Sequence, residues 1–314
     1  MPQIVCIGIL VADVVARPIE RIPDKGKLVL VDNMELHTGG CATNTGTALA
    51  RLGFDTAVIG KVGTDGFGDF ILKKMRENGL NTEGVVRDPS TNTSATMVMV
   101  SADGERSFLH YTGANAKFTF NDINWDIVRS AKLLHIGGFF LLPSFDGIQT
   151  RDALKRAKEL GVMTSLDTAW DDRGNWMKLL EPCLPYVDVF LPSIEEAKML
   201  TGESDPAKIA DKFMKYGVKT VGLKMGSEGS FVKSGDQAFR IPAYKVEAVD
   251  ATGAGDAFVA GFIAGVVKGW DLETTGRFAN AVGASCVTAM GASNGIKSLQ
   301  ETLEFMKTAT FLNS

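Results

Sequence analysis

The sequence predicts an α/β protein: a doubly wound, mostly parallel sheet flanked by helices, with a small β-rich lid. The first observation is the length, since 314 residues can form one large α/β domain or two modest ones. The second is an alternation of short β-rich apolar segments with amphipathic segments, typical of a parallel sheet with helices on both faces. The third is a break in that alternation at two stretches, where strands are predicted with no helix between them.

The alternating segments predict the main elements in chain order. The first part of the chain predicts strands at 3–9 and 56–62 and helices at 42–53 and 67–79. The pattern resumes with predicted strands at 132–138, 162–167, 187–191 and 219–225 and helices at 150–161 and 206–217. This order favours parallel strands joined by crossover helices.

Two segments predict the lid. Residues 28–34 (LVLVDNM) and 94–111 have the composition of strands, and 102–105 (ADGE) suits a hairpin turn. They are expected to form a small flap over the main sheet, which would close on a ligand and exclude water; edge strands of the main sheet are the alternative. The predicted domains are a main α/β unit of 1–11, 35–92 and 113–314 and a lid of 12–34 and 93–112.

Composition limits the class of partner. The formal net charge is −4 and no run of five like charges occurs, which argues against nucleic acid or an anionic membrane as the main partner. The cysteines (Cys6, Cys41, Cys183 and Cys286) form no C-x-x-C pair, which argues against a disulfide framework or a zinc site. The N-terminus predicts a buried strand, and the longest apolar run, 257–267, is shorter than the ~18 residues of a membrane span. We therefore expect a reduced, cytoplasmic, soluble protein.

The segment DATGAGD, residues 250–256, carries the strongest chemical signal. Small residues let backbone N–H groups approach an anion, and the helix that follows adds its positive dipole end. Asp256 then has two interpretations: an N-cap of the helix, or a general base beside a bound phosphate. The N-cap alone explains neither Asp250 nor the apolar character of the helix all round. The similar spelling GFGD at 66–69 precedes a helix with a charged face, and neither a P-loop nor a G-x-G-x-x-G fingerprint is present.

These residues resemble the ribokinase-like (PfkB) family of sugar and nucleoside kinases along nearly the whole chain. The segment DATGAGDAFVAGF resembles the C-terminal signature of that family, and GGCATNTGTALARLG (39–53) resembles its N-terminal signature. The resemblance implies an ATP-dependent carbohydrate kinase, with Asp256 as the base. The backbone of Thr252–Gly255, with Gly253, Ala254 and Gly255, would form the anion hole.

The resemblance also implies binding residues. The sugar would be bound by Asp13, Gly39, Gly40 and Asn44, although Asn44 as a helix cap and Asp13 as a strand end remain alternatives. ATP would be bound by Ser193, Lys224, Gly226, Gly229, Gly255 and Asn280, with Mg²⁺ organised by Glu196 through water. Ser193 stands where the family usually has asparagine, which leaves its phosphate contact open. A monovalent cation, K⁺, would be held by Asp250, Thr252, Cys286, Ala289, Gly291 and Gly295, mostly through backbone carbonyls, and whether it activates stays open.

The acceptor is less defined. The segment 135–143 has no acidic residue where ribokinases bind sugar, and 166–176 (LDTAWDDRGNW) resembles fructokinases and ketodeoxygluconate kinases. This favours a hexose or ketose such as fructose, or a sugar acid, over ribose. Arg106 is either a contact to an anionic sugar or a solvated side chain. A nucleoside kinase of the same fold and a non-catalytic sugar- or nucleotide-binding protein are the alternatives, and the resemblance implies a homodimer through the lid.

Overall fold

The computed structural model describes residues 1–312. Its strands are β1 (Ile4–Gly8), β2 (Val11–Arg17), β3 (Asn33–Gly39), β4 (Thr56–Gly63), β5 (Asn81–Asp88), β6 (Ala95–Val100), β7 (Arg106–Tyr111), β8 (Leu133–Phe139), β9 (Met163–Thr168), β10 (Val189–Phe190), β11 (Thr220–Lys224), β12 (Ser230–Ser234) and β13 (Gln237–Ile241). Its helices are α1 (Cys41–Arg51), α2 (Gly66–Glu77), α3 (Trp125–Arg129), α4 (Ile148–Glu159), α5 (Met177–Leu180), α6 (Ile194–Thr201), α7 (Pro206–Lys215), α8 (Ala254–Lys268), α9 (Leu272–Cys286) and α10 (Leu299–Thr308).

The main sheet has the predicted doubly wound character. Its strand order is β13-β12-β11-β10-β9-β8-β1-β4-β5, and the strands from β11 to β5 are parallel while β12 and β13 are antiparallel. The predicted strands and helices of this part lie within a few residues of the observed ones. Strand β10 is the shortest, with two residues against the five expected at 187–191.

Helices cover both faces of this sheet. Along β1, Val5 and Ile7 belong to one hydrophobic cluster, and Ile4 and Cys6 belong to another. Alternate residues of a strand point to opposite faces, so the two clusters lie on opposite sides of the sheet. The first cluster includes residues of α4 and α7, and the second includes residues of α1, α8 and α9.

A second sheet forms the lid. Its strand order is β3-β2-β6-β7, so these strands are separate from the main sheet, and the alternative of edge strands is wrong. The hairpin between β6 and β7 turns at the predicted residues, where Ser101 N–H donates to the Glu105 carbonyl at 2.9 Å.

The predicted lid strand at 28–34 is wrong. Antiparallel pairing with β2 runs from Val11 opposite Gly39 to Arg17 opposite Asn33, so the strand begins at Asn33. The apolar residues before it are exposed, with Leu28 at 78% and Leu30 at 85% of their surface. The small sheet therefore includes 35–39, which the predicted boundary gave to the main unit. The division into two domains stays a prediction.

The site residues collect at the carboxyl ends of the parallel strands, where open α/β sheets bind ligands. Asp167 lies near the end of β9, Ser193 follows β10, and Lys224 ends β11. The apolar helix α8 is buried from Ala257 to Gly265. Helix α2, which follows the similar GFGD spelling, buries one face only, as expected for a surface helix.

Candidate active site

The glycine-rich loop enters α8 through Gly253. This residue is the N-cap of α8, with a left-handed φ of 77°, and a Cβ there would lie 2.4 Å from the Ala292 carbonyl oxygen. Glycine is therefore required both by the backbone and by the close approach of Ala292. Asp256 lies within the first turn and makes no capping hydrogen bond, so the N-cap interpretation of Asp256 is wrong.

The Asp256 carboxylate points instead towards helix α1. Its Oδ2 accepts a hydrogen bond from Asn44 Nδ2 at 2.9 Å, and its backbone carbonyl lies 3.5 Å from Thr45 Oγ1. Burial raises the pKa of Asp256, and the Asn44 amide and the Lys224 ammonium oppose that rise. Asn44 is thus a partner of Asp256 and not a helix cap, since α1 has Gly40 as its N-cap.

Loop 250–255 separates two cavities. Asp250 and Thr252 line a cavity of about 340 Å³ beneath the lid, here called the lid cavity. Ala251, Ala254 and Gly255 line a cavity of about 390 Å³ on the other side, here called the glycine-lined cavity. Asp256 accepts a hydrogen bond from Asn44, which lines the lid cavity. Asp256 also directly follows Gly255, which lines the glycine-lined cavity. Consecutive parts of one short loop therefore face two different compartments.

The predicted sugar-binding residues converge on the lid cavity, which all of them line: Asp13, Gly39, Gly40 and Asn44. Gly39 is packed against Asp13, because a Cβ at 39 would lie 2.0 Å from Asp13 Oδ2. Burial raises the pKa of Asp13, opposed by a hydrogen bond with Thr96 and by the nearby His110 and His37. Asp13 lies inside β2 and does not end a strand.

A neighbouring cavity of about 510 Å³ shares part of this lining and is here called the aromatic cavity. Its wall contains Phe108, Phe140 and Trp170, and Arg173 also lines it. Trp170 and Trp176 pack edge to face with ring centres 5.0 Å apart, and Trp176 packs on Phe140 in the same way at 5.7 Å. The two segments singled out in the sequence, 135–143 and 166–176, thus meet in one wall.

The glycine-lined cavity contains most of the residues expected to bind ATP: Lys224, Gly226, Gly229, Gly255 and Asn280. The Asn280 amide nitrogen donates to the carbonyls of Ile241 and Pro242 at 3.1 and 3.0 Å, so it also ties α9 to the segment after β13. A Cβ at Gly229 would lie 2.0 Å from the Ile241 carbonyl oxygen.

Ser193 has a structural role at the start of α6. Its hydroxyl accepts from Glu196 N–H at 3.3 Å, and Glu196 Oε2 accepts from Ser193 N–H at 3.0 Å, which forms a capping box. Glu196 Oε2 also accepts from Thr168 Oγ1 at 2.9 Å. The metal and nucleotide contacts expected of these two residues stay predictions.

A buried ion pair that the sequence analysis missed lies between these elements. Lys224 Nζ is 2.6 Å from Asp167 Oδ1, with 14% and 5% of the two side chains exposed. Burial raises the pKa of Asp167 to about 7, opposed by Lys224. Burial would lower the pKa of Lys224, but Asp167 and Glu196 outweigh it and raise that pKa, so Lys224 keeps its charge. In the sequence, this pair was indicated only by Asp167, an aspartate at the end of the predicted strand 162–167.

Arg106 is not a solvated side chain, which was one of its two expected roles. From β7 its guanidinium reaches the glycine-rich loop, where Nη2 lies 2.8 Å from Asp250 Oδ1 and Nη1 donates to Thr252 Oγ1. The lid is therefore joined to the loop by an ion pair between side chains 144 residues apart.

Residues 1–312 contain neither a cluster of metal-ligating side chains nor a membrane-spanning helix. No group of three or more His, Cys, Asp or Glu side chains among them is arranged to hold a metal ion. No helix among them is long and apolar enough to cross a membrane. The cytoplasmic location stays a prediction.

Solved structures define the class of this fold. The chain superimposes on the Arabidopsis thaliana ribokinase solved with ribose and ATP with a TM-score of 0.85 and 27% identity, covering 98% of this chain and 99% of the other. An Escherichia coli chain assigned as a ribokinase II, solved with ATP and Mg²⁺, gives a TM-score of 0.83 and 26% identity, covering 98% and 99%. The architecture is the ribokinase-like α/β fold.

Sequence comparisons give the family. The family described as pfkB family carbohydrate kinase matches residues 1–299, so the chain belongs to this family and is a carbohydrate kinase. An uncharacterized sugar kinase of Archaeoglobus fulgidus is 34% identical over 248 residues, 79% of this chain and 97% of the relative. The probable fructokinase-5 of Arabidopsis thaliana is 30% identical (92% and 94% covered), and the 2-dehydro-3-deoxygluconokinase of Bacillus subtilis is 28% identical (90% and 90%). The predicted family, fold class and enzyme class are confirmed.

Proposed function

We propose that this kinase transfers the γ-phosphoryl group of ATP to a hydroxyl of a hexose or ketose such as fructose, or of a sugar acid. The observation that carries the proposal is the loop 250–255, whose residues line the lid cavity on one side and the glycine-lined cavity on the other. Asp256 follows this loop, so an acceptor in the first cavity and a nucleotide in the second would meet at its carboxylate.

Asp256 would act as the general base. It takes the proton of the acceptor hydroxyl as that oxygen forms a bond to the γ-phosphorus, and the bond from this phosphorus to the β–γ bridging oxygen breaks to release ADP. A pKa raised by burial suits a proton acceptor, because efficiency is highest when the pKa of the base approaches the working pH. Asn44 keeps the carboxylate oriented.

The glycine-rich loop would stabilise the transferred group. N–H groups in the first turn of a helix have no acceptor within that helix. Gly253 and Gly255 present theirs without side chains, while the Ala254 N–H donates to the Ala251 carbonyl at 3.2 Å and would have to exchange this partner for the phosphoryl group. Charge developing on the phosphoryl oxygens would be met by these dipoles and by the Lys224 ammonium at the edge of the same cavity.

ATP and Mg²⁺ are the cofactors of this proposal, as in the Escherichia coli structure solved with both. Glu196 would hold the ion through water, because the two hydrogen bonds that its carboxylate accepts from Thr168 and Ser193 both use Oε2 and leave Oε1 for a hydrated cation. One carboxylate with water and phosphate oxygens is an ordinary set of ligands for this ion. When bound, Mg²⁺ neutralises phosphate charge.

Two features support the acceptor class. The aromatic cavity is lined by apolar side chains, by Arg173 and by the carboxylates of Asp13, Asp171 and Asp172. The hydroxyls of a hexose or ketose would find hydrogen-bond partners there, the acid group of a sugar acid would find Arg173, and the ring would find an apolar wall. The relatives include a probable fructokinase and a 2-dehydro-3-deoxygluconokinase. These features favour a hexose, a ketose or a sugar acid, and the absence of an acidic side chain from 135–143 argues against ribose.

The test is ADP release with Mg-ATP and a panel of fructose, other hexoses, 2-dehydro-3-deoxygluconate, ribose and nucleosides. We expect one hexose, ketose or sugar acid to give the highest kcat/KM. Asp256→Asn should lower kcat by about 10²–10⁴-fold without changing the affinity for ATP. Asp271→Asn is the matched control, because Asp271 caps α9 and lies outside the site. A variant at 256 with wild-type kcat would contradict the base assignment.

A nucleoside kinase is the second candidate. The aromatic side chains Phe108, Phe140 and Trp170 line one cavity, as a base-binding wall would require. If nucleosides are the best acceptors in the same panel, the nucleoside kinase is the supported function. A non-catalytic binding protein would instead bind acceptor and ATP without releasing ADP.

We further propose a homodimer through the lid. On the lid face that carries Val14, the cross-strand neighbours are Leu36, Met97 and Leu109. Of these, Met97 is 47% and Leu109 59% exposed, an apolar row that a second lid would cover. Light scattering should give a dimer that Met97→Asp dissociates, while the control Met199→Asp, at an exposed methionine of α6, leaves it intact. A monomeric wild type would contradict this proposal.

A further inference from the structure

Two aromatic residues have a backbone conformation that is unfavourable for a bulky side chain. Among residues 1–312, Phe140 and Trp176 are the only non-glycine residues with a positive φ, at 89° and 38°. Such strain persists only where the surrounding contacts hold it in place, and it concentrates at functional sites. Phe140 directly follows β8 and Trp176 lies in the segment after β9, and these two strands are paired. The strained residues therefore belong to neighbouring loops.

An aspartate holds each strained residue through its backbone. The Phe140 N–H donates to Asp146 Oδ1 at 3.1 Å, and the Leu142 N–H donates to Oδ2 of the same carboxylate at 2.9 Å. In the second loop, the Trp176 N–H donates to Asp171 Oδ2 at 2.6 Å, and Asp171 is only 4% exposed. The two carboxylates thus stabilise conformations that the backbone alone would avoid.

The strained residues determine where one side of the aromatic cavity lies. Phe140 and Trp170, here called the loop wall, both line this cavity. Trp176 packs edge to face on both rings and so joins the two loops. Phe140 is 7% exposed and fixed by its neighbours, whereas Trp170 is 53% exposed and is accessible to a ligand. A shift of either loop would therefore move the loop wall.

We propose that Phe140 is a specificity-determining residue for the acceptor, and that Asp146 and Asp171 are positioning residues that hold the loop wall ready for one face of a sugar ring. Apolar and aromatic surfaces of this kind line most small-molecule sites. A wall that is already fixed avoids the cost of ordering its side chains when the sugar binds. The inference rests on the proposed function and extends it to the residues that select the acceptor. ATP is assigned to a different cavity, so its affinity should not depend on the loop wall.

The first experiment tests the strain and needs neither acceptor nor nucleotide. Phe140→Gly and Phe140→Ala both remove the ring, but only alanine keeps a Cβ that opposes a positive φ. We therefore expect Phe140→Gly to unfold at the higher urea concentration. The matched control is Phe108, which lines the same cavity from β7 without a positive φ, and there alanine should be more stable than glycine. No advantage of glycine over alanine at position 140 would overturn the inference.

The second experiment measures acceptor binding. Burial raises the pKa of Asp146 to about 7, opposed by the N–H groups of Phe140 and Leu142 and by the charge of Arg173, while the charge of Asp171 adds to the rise. Binding is therefore measured well above that pH, where the carboxylate is ionised. Calorimetry with fructose, glucose and 2-dehydro-3-deoxygluconate, without nucleotide, gives the three Kd values. Asp146→Asn keeps the size of the side chain but leaves one N–H without its acceptor. We expect this variant to weaken the tightest-binding sugar by about 10-fold and to narrow the range of the Kd values, with the affinity for ATP unchanged.

Asp205→Asn is the matched control for the second experiment. Asp205 also accepts from two backbone N–H groups, at 2.9 and 3.0 Å at the start of α7, and it lines none of the three cavities. Its sugar affinity should equal that of the wild type. An unchanged sugar affinity in Asp146→Asn, a similar loss of ATP affinity, or a wild type that binds none of the three sugars would each overturn the inference. Sugar binding without ADP release would contradict the proposed function and leave this inference standing.

Discussion

The Asn44 amide on α1 donates to the Asp256 carboxylate on α8 at 2.9 Å, across 212 residues of sequence. This bond joins the two motifs that carry the family resemblance. It also opposes the effect of burial on the pKa of Asp256, and so bears on the pH at which the base is ionised.

Replacing Asn44 should therefore change the pH dependence of catalysis. An amide donor favours the ionised carboxylate, so Asn44→Ala should raise the pKa of Asp256 further and move the acid limb of the kcat profile to higher pH, by up to about one unit. Steady-state rates across the pH range measure this. Asn78→Ala, which removes an amide bonded to the Lys74 carbonyl at the end of α2, should leave the limb in place. An unmoved limb in the Asn44 variant would show that the bond has no influence on the base.

Two glycines at the ends of α8 allow backbone strain to be separated from close packing. Gly253 and Gly269 both have left-handed φ, 77° and 73°, but only Gly253 has an atom within 4 Å of the position of a Cβ, the Ala292 carbonyl oxygen included. Gly269→Ala should cost about 1 kcal/mol of unfolding free energy with normal turnover. Gly253→Ala should cost more and lower kcat, because the loop must shift. Urea titration and kcat measure the pair, and equal costs would argue against the packing account.

The ion pair of Lys224 and Asp167 should be non-additive in stability. Lys224→Met removes the cation that lowers the pKa of Asp167, so the carboxyl takes up a proton at neutral pH, and the lost ion pair should cost about 1–3 kcal/mol. Adding Asp167→Asn to that variant then replaces a neutral group by a neutral group and should change stability little, whereas Asp167→Asn beside Lys224 leaves a buried ammonium without its carboxylate and should cost more, as measured by urea unfolding. Additive single effects would mean that the two side chains do not interact appreciably.

Stability should also depend on the ionisation of Asp188. Burial raises its pKa, but Lys158 and Lys219 outweigh burial and lower the pKa to about 2, with their Nζ atoms at 2.6 and 2.8 Å. Because the unfolded value is about 3.9, the stabilisation is complete above that pH and is lost as pH falls towards 2.

Asp188→Asn should therefore cost about 1–2 kcal/mol at pH 7 and about half of that near pH 3. Urea unfolding at both values measures the difference. Asp211→Asn, at a half-exposed partner of Lys233, provides the control and should change stability little at either pH. A cost at position 188 that is the same at pH 3 and pH 7 would contradict the assigned shift.

The sequence predicted the main sheet because alternating segments and parallel crossovers leave a local, periodic signal. The strand prediction failed at 28–34. The apolar alternation there is a local signal, whereas the residues that pair with β2 are set by contacts with other parts of the chain. The site residues likewise divide into those that a local motif predicts and those that it does not. Asp256, Asn44 and Lys224 are in recognisable motifs, whereas the roles of Asp167 and Arg106 depend on partners 57 and 144 residues away. No local pattern marks such a pairing.

The topology of the lid has a consequence for the order of folding. Strand β2 pairs in parallel with β6, with Ala12 opposite Ala95, and the chain between them contains β3, α1, β4, α2 and β5. Closing so long a loop costs entropy that contacts within that segment must first offset. We therefore expect lid substitutions such as Val98→Ala to speed unfolding and leave the refolding rate nearly unchanged. Lid amides should exchange with solvent before those of β1 and β8, so the half of the acceptor site that the lid supplies would be assembled last and lost first.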